Sequence, residues 1–193
     1  EVSLSITAYD AFSMLYTAAQ PLWVSRPTTA SVVNNPDGTV DLGALIVNEY
    51  IRPGERYETR SSLATMSITE LREAGTDYPQ WVIDKYLQLP DDITPRTYEL
   101  AQRLAAGQET PYDIAQAVTD YLRTNIVYNP MVPEAPSGQE RIDWFLFDLG
   151  EGYCNYYATA EVVMLRSLGI PARLAVGFAQ GERVVPIIPN QDT

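Results

Sequence analysis

One helix near the end of the chain, marked at both ends, constrains the fold most. Gly152-Tyr153-Cys154 precedes a helical pattern that places Cys154, Tyr157, Ala158, Glu161, Leu165 and Leu168 on one broad face. Arg166 falls in the last turn, Gly169 suits the left-handed position just past the end, and Pro171 blocks continuation. Pro171 also pushes Ile170 into an extended conformation. From Ala172 to Phe178 the pattern alternates as a strand, with Leu174, Val176 and Phe178 on one side. Any fold must therefore accommodate a glycine turn, a cysteine opening a helix, a Gly-Ile-Pro stop and a strand, in that order.

Counting excludes several chemistries. The 193 residues hold no histidine, which removes Ser-His-Asp and Cys-His catalysis within the chain and most zinc sites. A single cysteine, Cys154, permits no internal disulfide, and Lys85 is the only lysine. With 13 basic and 25 acidic side chains the net charge is −12, which argues against nucleic acid or an anionic membrane face as partner. No cofactor and no metal site is expected. No run approaches the roughly 18 apolar residues of a membrane helix. The chain starts at Glu1 without a methionine and reads as an excised or processed segment.

Residues 1–75 read as a β-rich region. Leu4–Ala8, Val40–Ile51 and Tyr57–Ser61 have strand composition. The turn Asn34-Asn35-Pro36-Asp37-Gly38 precedes the second of these, and Arg52-Pro53-Gly54-Glu55 follows it. A small antiparallel sheet or sandwich serving as a packing or interaction module is expected there. Residues 69–93 read as a transition. Thr94-Pro95 and Thr110-Pro111 then each announce a helix, a capping hydroxyl followed by proline at the first helical position. Gly107 suits the exit of the first, and Ile114, Val118, Tyr121 and Leu122 give the second a core-facing stripe.

Cys154 at a helix start has two assets for nucleophilic catalysis. Unpaired N–H groups and the positive dipole end favour a thiolate, and the same groups can stabilise an oxyanion. Gly152 reads as leaving room for a substrate to reach the sulfur. A lone cysteine is also commonly a small buried hydrophobe, so position by itself leaves both readings open.

The motif Gly152-Tyr153-Cys154-Asn155-Tyr156-Tyr157-Ala158, with Met164–Arg173 and Gly177-Phe178, resembles the core of transglutaminase-like proteins. Upstream, Tyr121-Leu122-Arg123, Tyr128 and Asp143–Phe147 also fit, and the extended match is similar to bacterial membrane-anchored members whose soluble region lies outside the cytoplasm. The resemblance implies an α+β chain: a β-rich N-terminal region followed, over residues 76–193, by the helical first half of a papain-like transglutaminase core. It implies Cys154 as the nucleophile of a thiol acyltransferase acting through a thioester on a glutamine carboxamide or peptide bond, with a protein or peptide as substrate. The parent would be extracytoplasmic and tethered to the membrane. Family members complete a Cys-His-Asp triad with residues beyond the matched segment, so this chain alone is expected to be inactive, truncated before the histidine. Asp143, Asp148 and Glu151 do not match the position of the family aspartate. Two further readings stay open: a non-catalytic extracytoplasmic interaction domain, and a cysteine protease or amidase.

Residues 134–151 also concentrate five acids, Glu134, Glu140, Asp143, Asp148 and Glu151, against Arg141. They read either as an electronegative approach for amine substrates or as a solvated acidic loop. Trp144 and Tyr128 read as the lining of an acyl-donor channel or as core. Arg173 is expected to satisfy carbonyls at a helix C-terminus.

Overall fold

A computed structural model describes residues 1–177. Strict alternation builds the first third. In β6 (Arg56–Ser61), Tyr57, Thr59 and Ser61 are buried while Arg56, Glu58 and Arg60 face solvent. β6 lies between β1 (Val2–Thr7) and β3 (Pro21–Val24), both antiparallel to it. The second sheet places β5 (Val40–Ile51) between β2 (Phe12–Met14) and β4 (Thr28–Asn34). The β4–β5 turn is the one read from Asn35-Pro36-Asp37-Gly38. Gly38 takes φ +84° and donates to Asn35 O at 3.0 Å, and Asp37 Oδ1 accepts from the Thr39 amide at 2.9 Å. The two sheets meet over Ala8, Leu15, Val47, Ile51 and Tyr57, making the expected small sandwich. Burial pushes the Tyr57 phenol up in pKa, and its hydroxyl donates to Tyr16 O at 2.9 Å.

The stretch read as a transition holds two short helices. In α1 (Ile68–Glu73) Ser67 and Glu70 form a reciprocal capping box, a spacing visible in the sequence. Arg72 ties this helix to Asp113 at 2.8 Å. The second, α2 (Gln80–Tyr86), follows Pro79. Next come α3 (Pro95–Ala105) and α4 (Pro111–Asn125), starting where the Thr-Pro pairs put them. Thr110 caps α4 by accepting from the Asp113 amide at 3.2 Å. Thr94 makes no such cap; its hydroxyl donates to Asp143 Oδ2 at 2.5 Å. Val118 and Leu122 of the α4 stripe are fully buried, with Ile114 and Tyr121 packed at the edge of the same core.

The last described helix, α6 (Cys154–Ser167), crosses that core. Its buried face is centred on Ala160, Val163, Met164 and Leu165 rather than on the line from Cys154 to Leu168. Cys154 is exposed and Glu161 accepts from the Thr119 hydroxyl at 2.7 Å, so the true stripe is rotated away from both. The helix is apolar on several sides, and neighbours on two sides, α3 and α4, decide which residues go in.

Two expectations about the segment after α6 are corrected. Residues 172–177 form no strand. A strand exists only through a partner, and among the described residues none pairs with this stretch, where Leu174 and Val176 stay exposed. Phe178 lies outside the described residues. Arg173 does not reach helix carbonyls. Its guanidinium sits 3.4 Å from Asp41 Oδ2 on β5 and 3.4 Å from the Tyr86 hydroxyl. The carbonyl-binding arginine is Arg166, which donates to Ala172 O and Gln88 O, each at 2.8 Å.

Asp41 is where sandwich and helices join. It accepts from the Tyr86 hydroxyl at 3.0 Å and from Lys85 Nζ at 3.3 Å, as well as facing Arg173. The Tyr86 hydroxyl is the largest cause holding its carboxyl below the usual range. Trp81 Nε1 adds a bond to Asp37 Oδ2 at 3.1 Å on the same hairpin.

Candidate active site

The approach to Cys154 is built by a change of helical pitch. A single turn, α5 (Arg141–Asp143), is started by Glu140, whose carboxylate accepts from the amides of Ile142 and Asp143, each at 2.8 Å. It runs directly into a π-helical segment, Trp144–Leu149, whose wide turn is closed by the Gly150 amide donating to Phe145 O at 3.1 Å. Gly150, at φ +69°, reverses the chain into β8 (Glu151–Gly152), which pairs in parallel with β7 (Val127–Tyr128). Two residues later Cys154 opens α6.

Gly152 has a reason other than substrate access. A Cβ built there would stand 2.7 Å from Phe145 Cε2 and 3.1 Å from Tyr156 Cβ. The space that the missing side chain leaves is taken by Phe145, itself fully buried and stacked on Tyr156 at 5.4 Å. Close packing of this ring brings β8 against the start of α6 and fixes where Cys154 emerges.

Cys154 itself is a free, exposed thiol whose Sγ lies 3.7 Å from Asn155 Oδ1. Tyr153 occupies the cap position without any side-chain cap bond, so no side chain caps the first amides of the helix that Cys154 opens. The expected position at a helix start is thus what the structure shows, and the buried-hydrophobe reading of this cysteine is excluded by its exposure. Its two chain neighbours, Tyr153 and Asn155, line a cleft of about 290 Å³ together with Arg141, Ile142, Phe145, Tyr156 and Thr159; Cys154 itself is not part of the lining.

The acids of 134–151 are mostly engaged in structure. Asp143, buried, accepts from Arg96 through both oxygens and from Thr94. The Arg96 guanidinium is the main cause holding its carboxyl below the ordinary range, with Thr94 assisting and burial opposing. Asp148 takes a second bond from Arg96 at 3.1 Å and one from Gln139. Glu151 accepts from Asn129 Nδ2 at 3.1 Å. Glu140 serves its own helix, which leaves Glu134 as the member with no structural task among the described residues. The cluster is therefore neither a free electronegative funnel nor a solvated loop. Arg96, which organises it, was missed in the sequence. Its position right after Pro95, in the first turn of α3, disagrees with the helix dipole and was the available signal that it belongs to acids elsewhere.

Trp144 is core, while Tyr128 is 64 % exposed and lies against Tyr157 at 6.3 Å. Among the described residues no group of three or more His, Cys, Asp or Glu side chains is placed to hold a metal ion.

This layout defines an α+β chain in which one exposed cysteine opens the central helix of a helical layer. The model of the transglutaminase-like superfamily matches residues 98–192, which include Cys154 and its whole helix. That segment, just under half of the chain, is transglutaminase-like. It is 39 % identical over 103 residues to the uncharacterized protein YebA of Bacillus subtilis, a stretch covering 51 % of this chain and 14 % of that protein. It is 34 % identical over 113 residues to a protein-glutamine gamma-glutamyltransferase of Pseudomonas aeruginosa, covering 58 % of this chain and 16 % of that one. The matched stretch is thus about a seventh of the length of these curated relatives. In fold it is similar to the periplasmic domain of TgpA from Pseudomonas aeruginosa, with TM-score 0.61 and 23 % identity over 94 % of this chain and 57 % of that one. The α+β class, a β-rich start followed by a helical layer, is the fold observed.

Proposed function

We propose that Cys154 is the nucleophile of a thiol acyltransferase. The observation that carries this reading is an exposed thiol at the uncapped start of a 14-residue helix, inside the segment that matches the transglutaminase-like model. The thiolate attacks a glutamine carboxamide or peptide carbonyl, and the oxyanion forms beside the first N–H groups of α6. The C–N bond then breaks, the leaving amine or ammonia takes a proton, and the acyl group remains as a thioester. An amine or water attacks that thioester and returns Cys154 as the thiol. Each transfer needs a group that moves protons. The chain has no histidine, and we assign that role to residues outside these 193, so that the chain alone is silent.

The setting we propose is extracytoplasmic, as a region of a membrane-tethered protein. Similarity to a periplasmic domain supports it. No helix among the described residues is long and apolar enough to cross a membrane. One observation favours a second reading, a non-catalytic interaction domain on the same scaffold: the absence of histidine itself. Hydrolysis instead of amine transfer requires the same cysteine and differs only in the acceptor.

The deciding experiment measures incorporation of a fluorescent amine into a glutamine-rich protein, and peptide hydrolysis in parallel. It uses the full-length protein, its Cys154→Ala variant and the 193-residue chain. We expect turnover by the full-length protein alone, with the short chain at the level of the variant. Full-length activity equal to that of Cys154→Ala would leave the interaction domain as the function.

A further inference from the structure

The cleft beside Cys154 has a charge character that the chain as a whole lacks. In a protein of net charge −12, no acid lines it, and Arg141 is the one ionised side chain that does. The neighbouring carboxylates are engaged elsewhere: Glu140 on backbone amides, Asp143 and Asp148 on Arg96, Glu151 on Asn129. Arg141 is exposed and, among the described residues, forms no ion pair and no side-chain hydrogen bond. Arg72 and Arg96, by contrast, are matched to Asp113 and Asp143. Aromatic rings line the same cleft. Tyr153 meets Tyr156 edge-on at 5.1 Å, and Tyr156 stacks on Phe145. Asn155 and Thr159 add an amide and a hydroxyl able to hydrogen-bond a carboxylate or a peptide group.

We infer that this cleft selects an acyl donor bearing a carboxylate close to the reacting carbonyl, with Arg141 as its specificity-determining residue. The inference rests on the acyl-transfer reading for its substrate, whereas the anion preference of the cleft is measurable without turnover. A guanidinium pairs with a carboxylate through two parallel N–H bonds, and a wall of aromatic rings excludes part of the solvent that would screen them. Because Arg141 is exposed, the preference is modest, about 3- to 10-fold, and salt weakens it.

The test has two arms on the full-length protein. In the first, Cys154 is alkylated with iodoacetate and with iodoacetamide, and the modified peptide is followed by mass spectrometry. Iodoacetate carries the charge and iodoacetamide does not. Relative to β-mercaptoethanol, the iodoacetate-to-iodoacetamide rate ratio at Cys154 should be raised by about 3- to 10-fold. Arg141→Lys should keep part of this gain, Arg141→Ala should lose it, and Arg141→Glu should bring the ratio below that of the free thiol. In the second arm, glutamine peptides flanked by glutamate or by serine compete as acyl donors, and the ratio of their kcat/KM values is compared across the same variants. A ratio that favours the glutamate peptide and inverts in Arg141→Glu supports the inference. Anion-selective alkylation that depends on Arg141, with neither peptide acylating Cys154, supports the cleft and overturns the acyl-transfer reading. Turnover of both peptides with no preference, or a Cys154 alkylation ratio that Arg141→Glu leaves unmoved, overturns the inference and leaves that reading standing.

Discussion

Adding one methyl group at Gly152 tests whether Phe145 truly sets the position of the nucleophile. In Gly152→Ala the new Cβ falls 2.7 Å from Phe145 Cε2 and 3.0 Å from Cδ2, about 1 Å inside an ordinary carbon–carbon contact. Neither side yields easily. The ring is fully buried and boxed in by Tyr156 and by Tyr157 at 5.6 Å. The backbone is pinned to β7, where the Asn129 amide donates to Gly152 O at 2.8 Å. Overpacking of this kind costs about 3 kcal/mol at the upper end of the usual range. Stiffening of the unfolded chain returns about 0.7 kcal/mol, leaving a net loss of about 2 kcal/mol. For a chain of this size that lowers Tm by about 4–8 °C. Thermal unfolding followed by circular dichroism measures it, and a double-mutant cycle assigns the cause. Phe145→Leu costs stability by itself, yet it should partly relieve Gly152→Ala, so the pair loses clearly less than the two single losses added together. Additive losses, or a Gly152→Ala protein as stable as the parent, would refute the close approach. Gly150→Ala is the control, since its Cβ meets nothing within 4 Å and its only cost is a left-handed φ of +69°.

Asp143→Asn should lower stability by about 2 kcal/mol near neutral pH, because a buried carboxylate bonded to Arg96 and Thr94 loses its charge. The folded carboxyl titrates below its unfolded value, so its contribution is complete above pH of about 4 and disappears as pH falls through the folded value. The Tm difference between the two proteins should accordingly shrink from pH 6 to pH 3, and a constant difference would contradict the assignment. Asp41→Ala should release Tyr86, Lys85 and Arg173 together. Hydrogen exchange at the Ala172 amide, which donates to Tyr86 O at 3.2 Å, should accelerate while that of the α4 core stays unchanged.

Local chemistry carried much of this fold into the sequence. The strand Val40–Ile51 lies between two turns whose Gly38 and Gly54 both take φ +84°, and both turns were legible from their Pro, Asp and Gly content. The Thr-Pro helix starts and the cysteine at the head of α6 were equally plain, since each depends on a few neighbouring residues. What the sequence concealed depends on distant partners. The pitch change at Trp144–Leu149 has no composition of its own, because six mostly apolar residues suit either helix. Glycine at 152 reads as empty space until Phe145, seven residues earlier, is seen to fill it. Arg173 misses the task expected of it because its partner sits on β5, more than a hundred residues away. The alternation at 172–177 was genuine, but ladder bonds come from a neighbour and not from a pattern.

The clasp around Asp41 has a bearing on self-modification. An enzyme that hands acyl groups to amines puts its own lysines at risk of becoming acceptors. This chain has one, Lys85, and its ammonium is held by Asp41 at 3.3 Å and Asn35 at 3.3 Å, over the ring of Tyr86 at 5.1 Å. Its bond with the Tyr86 hydroxyl, then that with Asp41, raises its pKa above the ordinary lysine value. Only the neutral amine attacks a thioester, and holding the proton on Lys85 keeps that form scarce. On the acyl-transfer reading, these 193 residues offer the reaction almost no lysine on which to turn against itself.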